Sequence, residues 1–127
     1  MPNTDIDIDF TPRQLRAFSR NEAHMTINVK NLSANTYWCE CEIMLMPPLS
    51  LANDSEMNSG RMRVGIIKPM GKMSKQVKVY TRPNNYPDDY KFSIVAFVYD
   101  EDGAIAERVE KKASIACASE VPAPKQG

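Results

Sequence analysis

The stretch YWCECEIMLM, residues 37–46, is the part of the sequence that most directly indicates the fold. Side chains on a β-strand alternate between two faces, so every second residue of this stretch shares a side. One face would carry Cys39, Cys41, Ile43 and Leu45, and the other Trp38, Glu40, Glu42, Met44 and Met46. Because buried thiols behave as small hydrophobic groups, the first face is apolar throughout. The stretch therefore predicts a strand that packs its cysteine face into a core.

A second apolar stretch, YKFSIVAFVY at residues 90–99, predicts another strand. Its two faces would carry Tyr90, Phe92, Ile94, Ala96 and Val98 on one side, and Val95, Phe97 and Tyr99 on the other. Both faces are apolar, so the sequence leaves open which one is buried. DEDG at residues 100–103 is a hairpin signal, and the last strand is predicted from about Ile105 to Ala116.

Shorter alternating segments indicate further strands between frequent turn signals. They are DIDIDF (5–10), HMTINVK (24–30), RMRVGII (61–67) and QVKVY (76–80). The segment PRQLRAFSRNEA, residues 12–23, has too thin an apolar stripe for a long helix, and we expect one helical turn there at most. The pattern predicts an all-β fold, an antiparallel β-sandwich of about seven strands with Greek-key connections. If the sandwich is of the immunoglobulin-like type, the third, sixth and seventh of these strands share a sheet, with the sixth in the middle.

The length of 127 residues is typical of one domain that buries its own core. We predict a single sandwich domain over residues 1–117. The proline-rich segment at residues 118–127 is expected to be a disordered tail.

The strand and turn residues resemble the immunoglobulin-like domains of the bacterial and archaeal CARDB-like and NEW3-like groups over about residues 5–117. The residues that carry the resemblance are Val29 and Asn31 in V-x-N, Pro69 and Gly71 in the turn before the fifth strand, and Tyr86, Pro87 and Tyr90 in Y-P-x-x-Y. The resemblance implies a bacterial or archaeal source and the sandwich fold. Domains of these groups are mostly passive modules of larger secreted proteins, so it also implies an accessory or adhesion-type role.

Tyr90 stands at the start of the sixth strand, two residues after Asp88. In immunoglobulin-like sandwiches a tyrosine at this point forms a tyrosine corner, whose hydroxyl bonds the backbone of the preceding loop. We therefore expect Tyr90 to have a structural role.

Charge and cysteine content constrain the partners and the compartment. Lysine plus arginine equals aspartate plus glutamate at 16 each, so no global basic field attracts nucleic acid or an anionic membrane. No apolar run has the length of a membrane span, the first ten residues are acidic, and three cysteines are an odd number for a secreted domain. We expect a cytoplasmic protein that binds neither nucleic acid nor membrane.

Catalytic and metal-binding patterns are sparse. A zinc site needs about four ligands, whereas the chain offers three cysteines without C-x-x-C spacing and a single histidine, His24. Glu40 and Glu42 are expected to pair with lysines on a neighbouring strand rather than act as acid and base. We predict no catalytic residue, no cofactor and no metal, and therefore not an enzyme. A thiol-based metal or redox site at Cys39 and Cys41 stays open as an alternative.

The residues opposite the predicted core face form the candidate site. If the cysteine face is buried, the outer sheet face carries Trp38, Met44, Met46, Val95, Phe97 and Tyr99. Aromatic residues and methionines in one patch are typical of a protein interface. We predict a protein-interaction module that binds a protein partner or forms a homodimer. Two alternatives stay open: residues 11–23 or 47–60 cover this face, or the domain is a carbohydrate- or surface-binding module centred on Trp38 and Glu40.

Overall fold

Eight β-strands account for most of residues 4–119, which are the residues that the structure, a computed structural model, describes. The strands are β1 (Thr4–Thr11), β2 (Gln14–Arg16), β3 (Asn21–Asn31), β4 (Tyr37–Leu45), β5 (Ser59–Ile67), β6 (Lys72–Thr81), β7 (Asp88–Tyr99) and β8 (Ile105–Ala118). They form a three-stranded sheet in the order β1-β3-β6 and a five-stranded sheet in the order β2-β8-β7-β4-β5. This is the predicted all-β sandwich, with β7 between β8 and β4 as expected.

The core lies between the two sheets and contains the cysteine face of β4. Cys39 and Cys41 are each 0% exposed. The register places Cys41 opposite Ala96 and Ile43 opposite Ile94, so the face of β7 that carries Tyr90 and Phe92 points inward as well. From the other sheet, β3 contributes Met25, Ile27 and Val29, all of them buried. The sequence left the inward face of β7 open; the register with β4 decides it.

The N-terminal segment contains a short strand where at most one helical turn was expected. Residues 14–16 form β2, which runs parallel to the end of β8. Leu15 is buried in the core, and the N–H of Ala17 donates to the carbonyl oxygen of Ala118 at 2.7 Å. One buried leucine is enough to fix three residues against a long strand, and this explains why the apolar pattern was too thin to indicate either a helix or a strand.

The tyrosine corner is present. The hydroxyl of Tyr90 donates to the carbonyl oxygen of Tyr86 and accepts from the N–H of Tyr86 at 2.8 Å. These bonds join the start of β7 to the loop before it. The predicted structural role of Tyr90 is confirmed.

The two segments considered as covers lie elsewhere. In residues 47–60, Leu49 is buried and Ser50 forms a two-way backbone bridge with Tyr80 of β6, so this segment closes an end between the sheets. Residues 11–23 extend an edge of the five-stranded sheet through β2. The structure places neither segment across the outer face of that sheet.

Ala118 is the last residue of β8, two residues beyond the predicted end of the strand. Residues 120–127, which make up most of the predicted tail, lie outside the described residues. Residues 4–119 contain no helix that is long and apolar enough to span a membrane.

Candidate protein-interaction site

We use the name outer face for the side of the five-stranded sheet that points away from the core. The register across β5, β4, β7 and β8 arranges its side chains in rows. The first row is Ile66, Trp38, Tyr99 and Ile105, and the second is Arg63, Glu40, Phe97 and Arg108. Each of the four side chains in the first row is either aliphatic or aromatic. The second has an arginine at each end and Glu40 and Phe97 between them.

An aromatic pair lies at the centre of the first row. The rings of Trp38 and Tyr99 are stacked, with centroids 4.1 Å apart and planes inclined by 16°. Both side chains are half-buried. Such pairs contribute about 0.5–1.5 kcal/mol beyond the area that they bury. The pair is therefore a rigid surface with one indole face already covered by Tyr99.

Glu40 joins the two rows. Its carboxylate accepts a hydrogen bond from the Tyr99 hydroxyl at 3.1 Å and lies 3.6 Å from Nη2 of Arg61. The Arg61 guanidinium lies 4.4 Å from the centroid of the Phe97 ring, on which the Arg108 guanidinium lies at 5.9 Å. The predicted pairing of Glu40 with a neighbouring strand is present, but its partner is arginine rather than lysine. With its carboxylate engaged in this way, Glu40 is not a free polar neighbour for a sugar on Trp38.

The two methionines predicted for the site lie away from the aromatic pair. Met44 is six residues from Trp38 on β4, about 20 Å along the strand. Met46 follows the end of β4, where its N–H donates to the carbonyl oxygen of Lys91 at 3.1 Å. Both side chains are exposed. Since Glu40 and Glu42 lie between the methionines and the pair, the predicted patch is two separate groups.

Val95 is on the outer face but cannot contact a partner. It lies between Glu42 and Glu110 in the register and is 1% exposed. Neighbouring side chains already cover Val95, so it packs beneath them and is not accessible to a partner.

Two isoleucines that the sequence did not indicate are the most exposed members of the first row. Ile66 is 66% exposed and Ile105 is 61% exposed. They flank Trp38 and Tyr99 because the register shifts at two irregularities, one between Cys39 and Glu40 against β5 and one between Val98 and Tyr99 against β8. The first row is thus apolar across four strands and open at both ends.

The cysteines belong to the core rather than to a site. Cys39, Cys41 and Cys117 are free and buried. Hydrogen bonding with Cys41 and burial raise the pKa of the Cys39 thiol, and burial raises the pKa of the Cys117 thiol. In residues 4–119, no three His, Cys, Asp or Glu side chains are grouped so that they could hold a metal ion. The single histidine, His24, lies on the other sheet with Nε2 3.8 Å from Glu22.

Neither a family model nor a curated protein matches this chain. Solved structures match its fold. A FixG-related protein from Vibrio parahaemolyticus matches with a TM-score of 0.51 at 9% identity, over 92% of this chain and 98% of that one. A structural genomics target, SoR45, matches with a TM-score of 0.57 at 11% identity, over 98% of this chain and 95% of that one.

A third solved structure is that of AvmM, which catalyses macrocyclization in alchivemycin A biosynthesis. It matches with a TM-score of 0.58 at 10% identity, over 98% of this chain and 93% of that one. At such low identity the three likenesses show the sandwich fold, and one fold supports many unrelated functions.

Proposed function

We propose that this protein is a non-enzymatic interaction module that binds another protein through the outer face of its five-stranded sheet. The observation that carries the proposal is the first row of that face, Ile66, Trp38, Tyr99 and Ile105. Contiguous apolar side chains on an exposed sheet face mark a site of association.

The residues around this row have the composition of an interface hot spot. Tryptophan, tyrosine and arginine dominate the energetics of protein interfaces. Here the stacked Trp38–Tyr99 pair lies beside Phe97, whose ring contacts Arg61 at 4.4 Å. A partner that seats on the first row would exclude water from these contacts and strengthen them.

The charges of the second row favour a partner with carboxylates. Arg63 on β5 and Arg108 on β8 are the two ends of this row, and no carboxylate within residues 4–119 lies within ion-pair distance of either. In a face-to-face dimer whose twofold axis runs along the strands, Arg63 would oppose Arg108 of the second copy. Like charges across an interface are unfavourable. A different chain that carries acidic residues beside an apolar centre fits this face better than a second copy does.

The non-enzymatic part of the proposal is supported by the positions of the reactive side chains. The three thiols are enclosed in the core, and Glu40 is held by Arg61 and Tyr99. The aromatic rings of the outer face and the arginines beside Phe97 are suited to binding.

The test uses two variants with matched surface changes. Ile66→Glu combined with Ile105→Glu places two charges in the first row, and both positions are exposed, so the fold should persist. Met70→Glu changes an equally exposed apolar side chain, 65% exposed, outside the outer face. Each tagged chain is used to capture proteins from the cells that produce it, and captured proteins are purified and titrated against all three chains by calorimetry.

We expect a purified partner that binds the wild type and Met70→Glu alike, and the double variant at least about tenfold more weakly. Sedimentation velocity across a range of concentrations tests for self-association. If every captured protein binds all three chains equally, and the wild type remains a monomer, the proposal is wrong. A wild-type dimer that the double variant disrupts would keep the face as an interface and replace the acidic partner with a second copy.

A further inference from the structure

A concave surface at the other end of the five-stranded sheet from the first row is lined by residues of the β1–β3 connection. It is formed by Pro12, Arg13, Gln14, Leu15, Arg16, Ser19, Arg20 and Asn21. Three of these residues are arginines, and residues 12–20 contain no aspartate or glutamate. A single concavity therefore gathers three positive charges from nine consecutive residues.

Asn21 fixes the backbone of this connection. Its side-chain oxygen accepts from the N–H of Arg16 at 3.0 Å, and its side-chain nitrogen donates to the carbonyl oxygen of Arg16 at 2.8 Å. The same nitrogen lies 2.7 Å from Oγ1 of Thr81 on β6. The turn from residue 16 to residue 21 is thus closed on itself and attached to the three-stranded sheet.

Phe18, at the tip of the turn, has φ of 58°, in the left-handed region that bulky residues rarely adopt. Its N–H donates to Oδ1 of Asn85 at 2.8 Å, and Asn85 is 0% exposed. Asn85 also donates to the carbonyl oxygen of Ser19 at 2.7 Å. Such backbone strain persists only where surrounding contacts over-determine it. The left-handed conformation of Phe18 reverses the chain, so that Arg16 and Arg20 line the same concavity.

The arginines of the concavity are largely free to bind a ligand. Arg13 is 3.7 Å from Asp9, and both side chains are more than half exposed, so this pair is weak. Among residues 4–119, neither Arg16 nor Arg20 has a carboxylate within ion-pair distance. Glu22, the next acidic residue along the chain, lies 3.8 Å from His24 instead.

We propose that this concavity is a binding site for a phosphate group, held by Arg13, Arg16 and Arg20. Guanidinium groups bind phosphate oxygens in a bidentate manner, and the ordered backbone reduces the entropy lost when the arginines converge. Ser19 and Gln14 add hydroxyl and amide donors to the same surface. The pyrrolidine ring of Pro12 provides an apolar contact for the organic part of a phosphate ester. The site is independent of the outer face and of the function proposed for it.

Titration of the ¹⁵N-labelled chain with inorganic pyrophosphate tests the site directly. We expect saturable amide shift changes confined to residues 12–21 and their immediate neighbours. Arg16→Gln combined with Arg20→Gln should weaken binding by about tenfold or more, because each charge-assisted bond to phosphate is lost. The matched control, Arg63→Gln with Arg108→Gln, removes the same charge from the outer face and should retain wild-type affinity.

Shift changes scattered over the basic surface, equal losses of pyrophosphate affinity in both double variants, or the absence of both amide shift changes and vesicle binding would overturn the proposal. The second arm distinguishes the source of the phosphate. Phosphatidylcholine vesicles with and without phosphatidic acid are sedimented with the wild type and the two double variants. If the protein sediments with vesicles only when phosphatidic acid, Arg16 and Arg20 are all present, the ligand is a lipid headgroup. If the protein binds pyrophosphate but does not sediment with these vesicles, the ligand is a soluble phosphate ester.

Discussion

At the scale of single residues, one buried amide holds two connections of the sandwich in place. The side-chain nitrogen of Asn31 donates to the carbonyl oxygen of Asn35 at 2.7 Å and to that of Ile67 at 3.1 Å. Its side-chain oxygen accepts from the N–H of Ser33 at 2.9 Å. Asn31 therefore joins the β3–β4 connection to the end of β5. The sequence showed this asparagine in a V-x-N pattern, but its partner Ile67 is 36 residues away in the chain and could not be read from it.

Asn31→Ala should lower the free energy of unfolding by about 2–3 kcal/mol, because several buried backbone groups lose their partner. Urea denaturation measures the change. The control Asn35→Ala removes an exposed amide side chain four residues away, and its effect should stay within about 0.5 kcal/mol. Equal effects of the two substitutions would show that the buried amide does not hold these connections.

Alkaline stability should reflect Tyr90 and Cys117. Burial raises the pKa of both groups in the folded protein, so the fold favours their neutral forms. The resulting stability is fully present below the pKa values of the unfolded chain, about 8.5 for cysteine and about 10 for tyrosine. It is lost as the pH rises from there through the folded pKa values.

The free energy of unfolding should therefore decline above about pH 8.5, and more steeply above about pH 10. Tyr90→Phe should remove the steeper part, while Tyr86→Phe, which changes an exposed ring, should keep the wild-type profile. Urea titrations at a series of pH values provide the measurement. Identical profiles for all three proteins would refute the assignment to Tyr90.

The cysteines give a further test at this scale. Since Cys39, Cys41 and Cys117 are free and buried, all three should react with Ellman's reagent in denaturant without reductant, and should react slowly in the native state. Bound zinc, or fewer than three thiols in denaturant, would instead support the metal or redox alternative for Cys39 and Cys41.

At the scale of elements, the alternation of apolar residues indicated every strand except β2, and the expected immunoglobulin-like arrangement placed β4, β7 and β8 in one sheet. Two details of the strands could not be predicted from this alternation. A three-residue strand with one buried leucine has no periodicity to detect. The bulge next to Gly65 and the one between Val98 and Tyr99 shift the pairing, and a shift of one residue moves side chains to the other face. The sequence therefore could not place Ile66 and Ile105 beside Trp38 and Tyr99.

Edge strands show how the protein limits unwanted pairing. β6 is an edge of the three-stranded sheet, and its Lys75 pairs with Ile27 in the register, on the inward-facing side of the strand. Inward-pointing charges on edge strands disfavour the addition of a further strand.

Lys75→Val should therefore promote association that the wild type avoids. Lys78→Val serves as the control, because Lys78 is exposed on the same strand but lies on its outward side, opposite His24. Light scattering during mild heating should detect particles with Lys75→Val at a lower temperature than with Lys78→Val. The same onset temperature in both variants would contradict a protective role for Lys75.

At the scale of the whole molecule, the two proposed sites lie at different places on one sandwich. The first row of the outer face is at the start of β4 and the end of β7, whereas the arginine concavity lies beside the start of β7 and the end of β8. Variants at one site should therefore leave the other intact. Neutral net charge at the level of composition conceals these two local groups of arginines.

The most direct test of the outer face as an interface uses Trp38, the single tryptophan of the chain. A chain labelled with 5-fluorotryptophan has one ¹⁹F resonance, which reports on the centre of the first row even in an unlabelled extract of the source cells. We predict that this resonance shifts or broadens in the extract, and that the change is absent with Ile66→Glu and Ile105→Glu and present with Met70→Glu. A resonance that stays unchanged in the extract and at every protein concentration would contradict the proposal that this face binds protein.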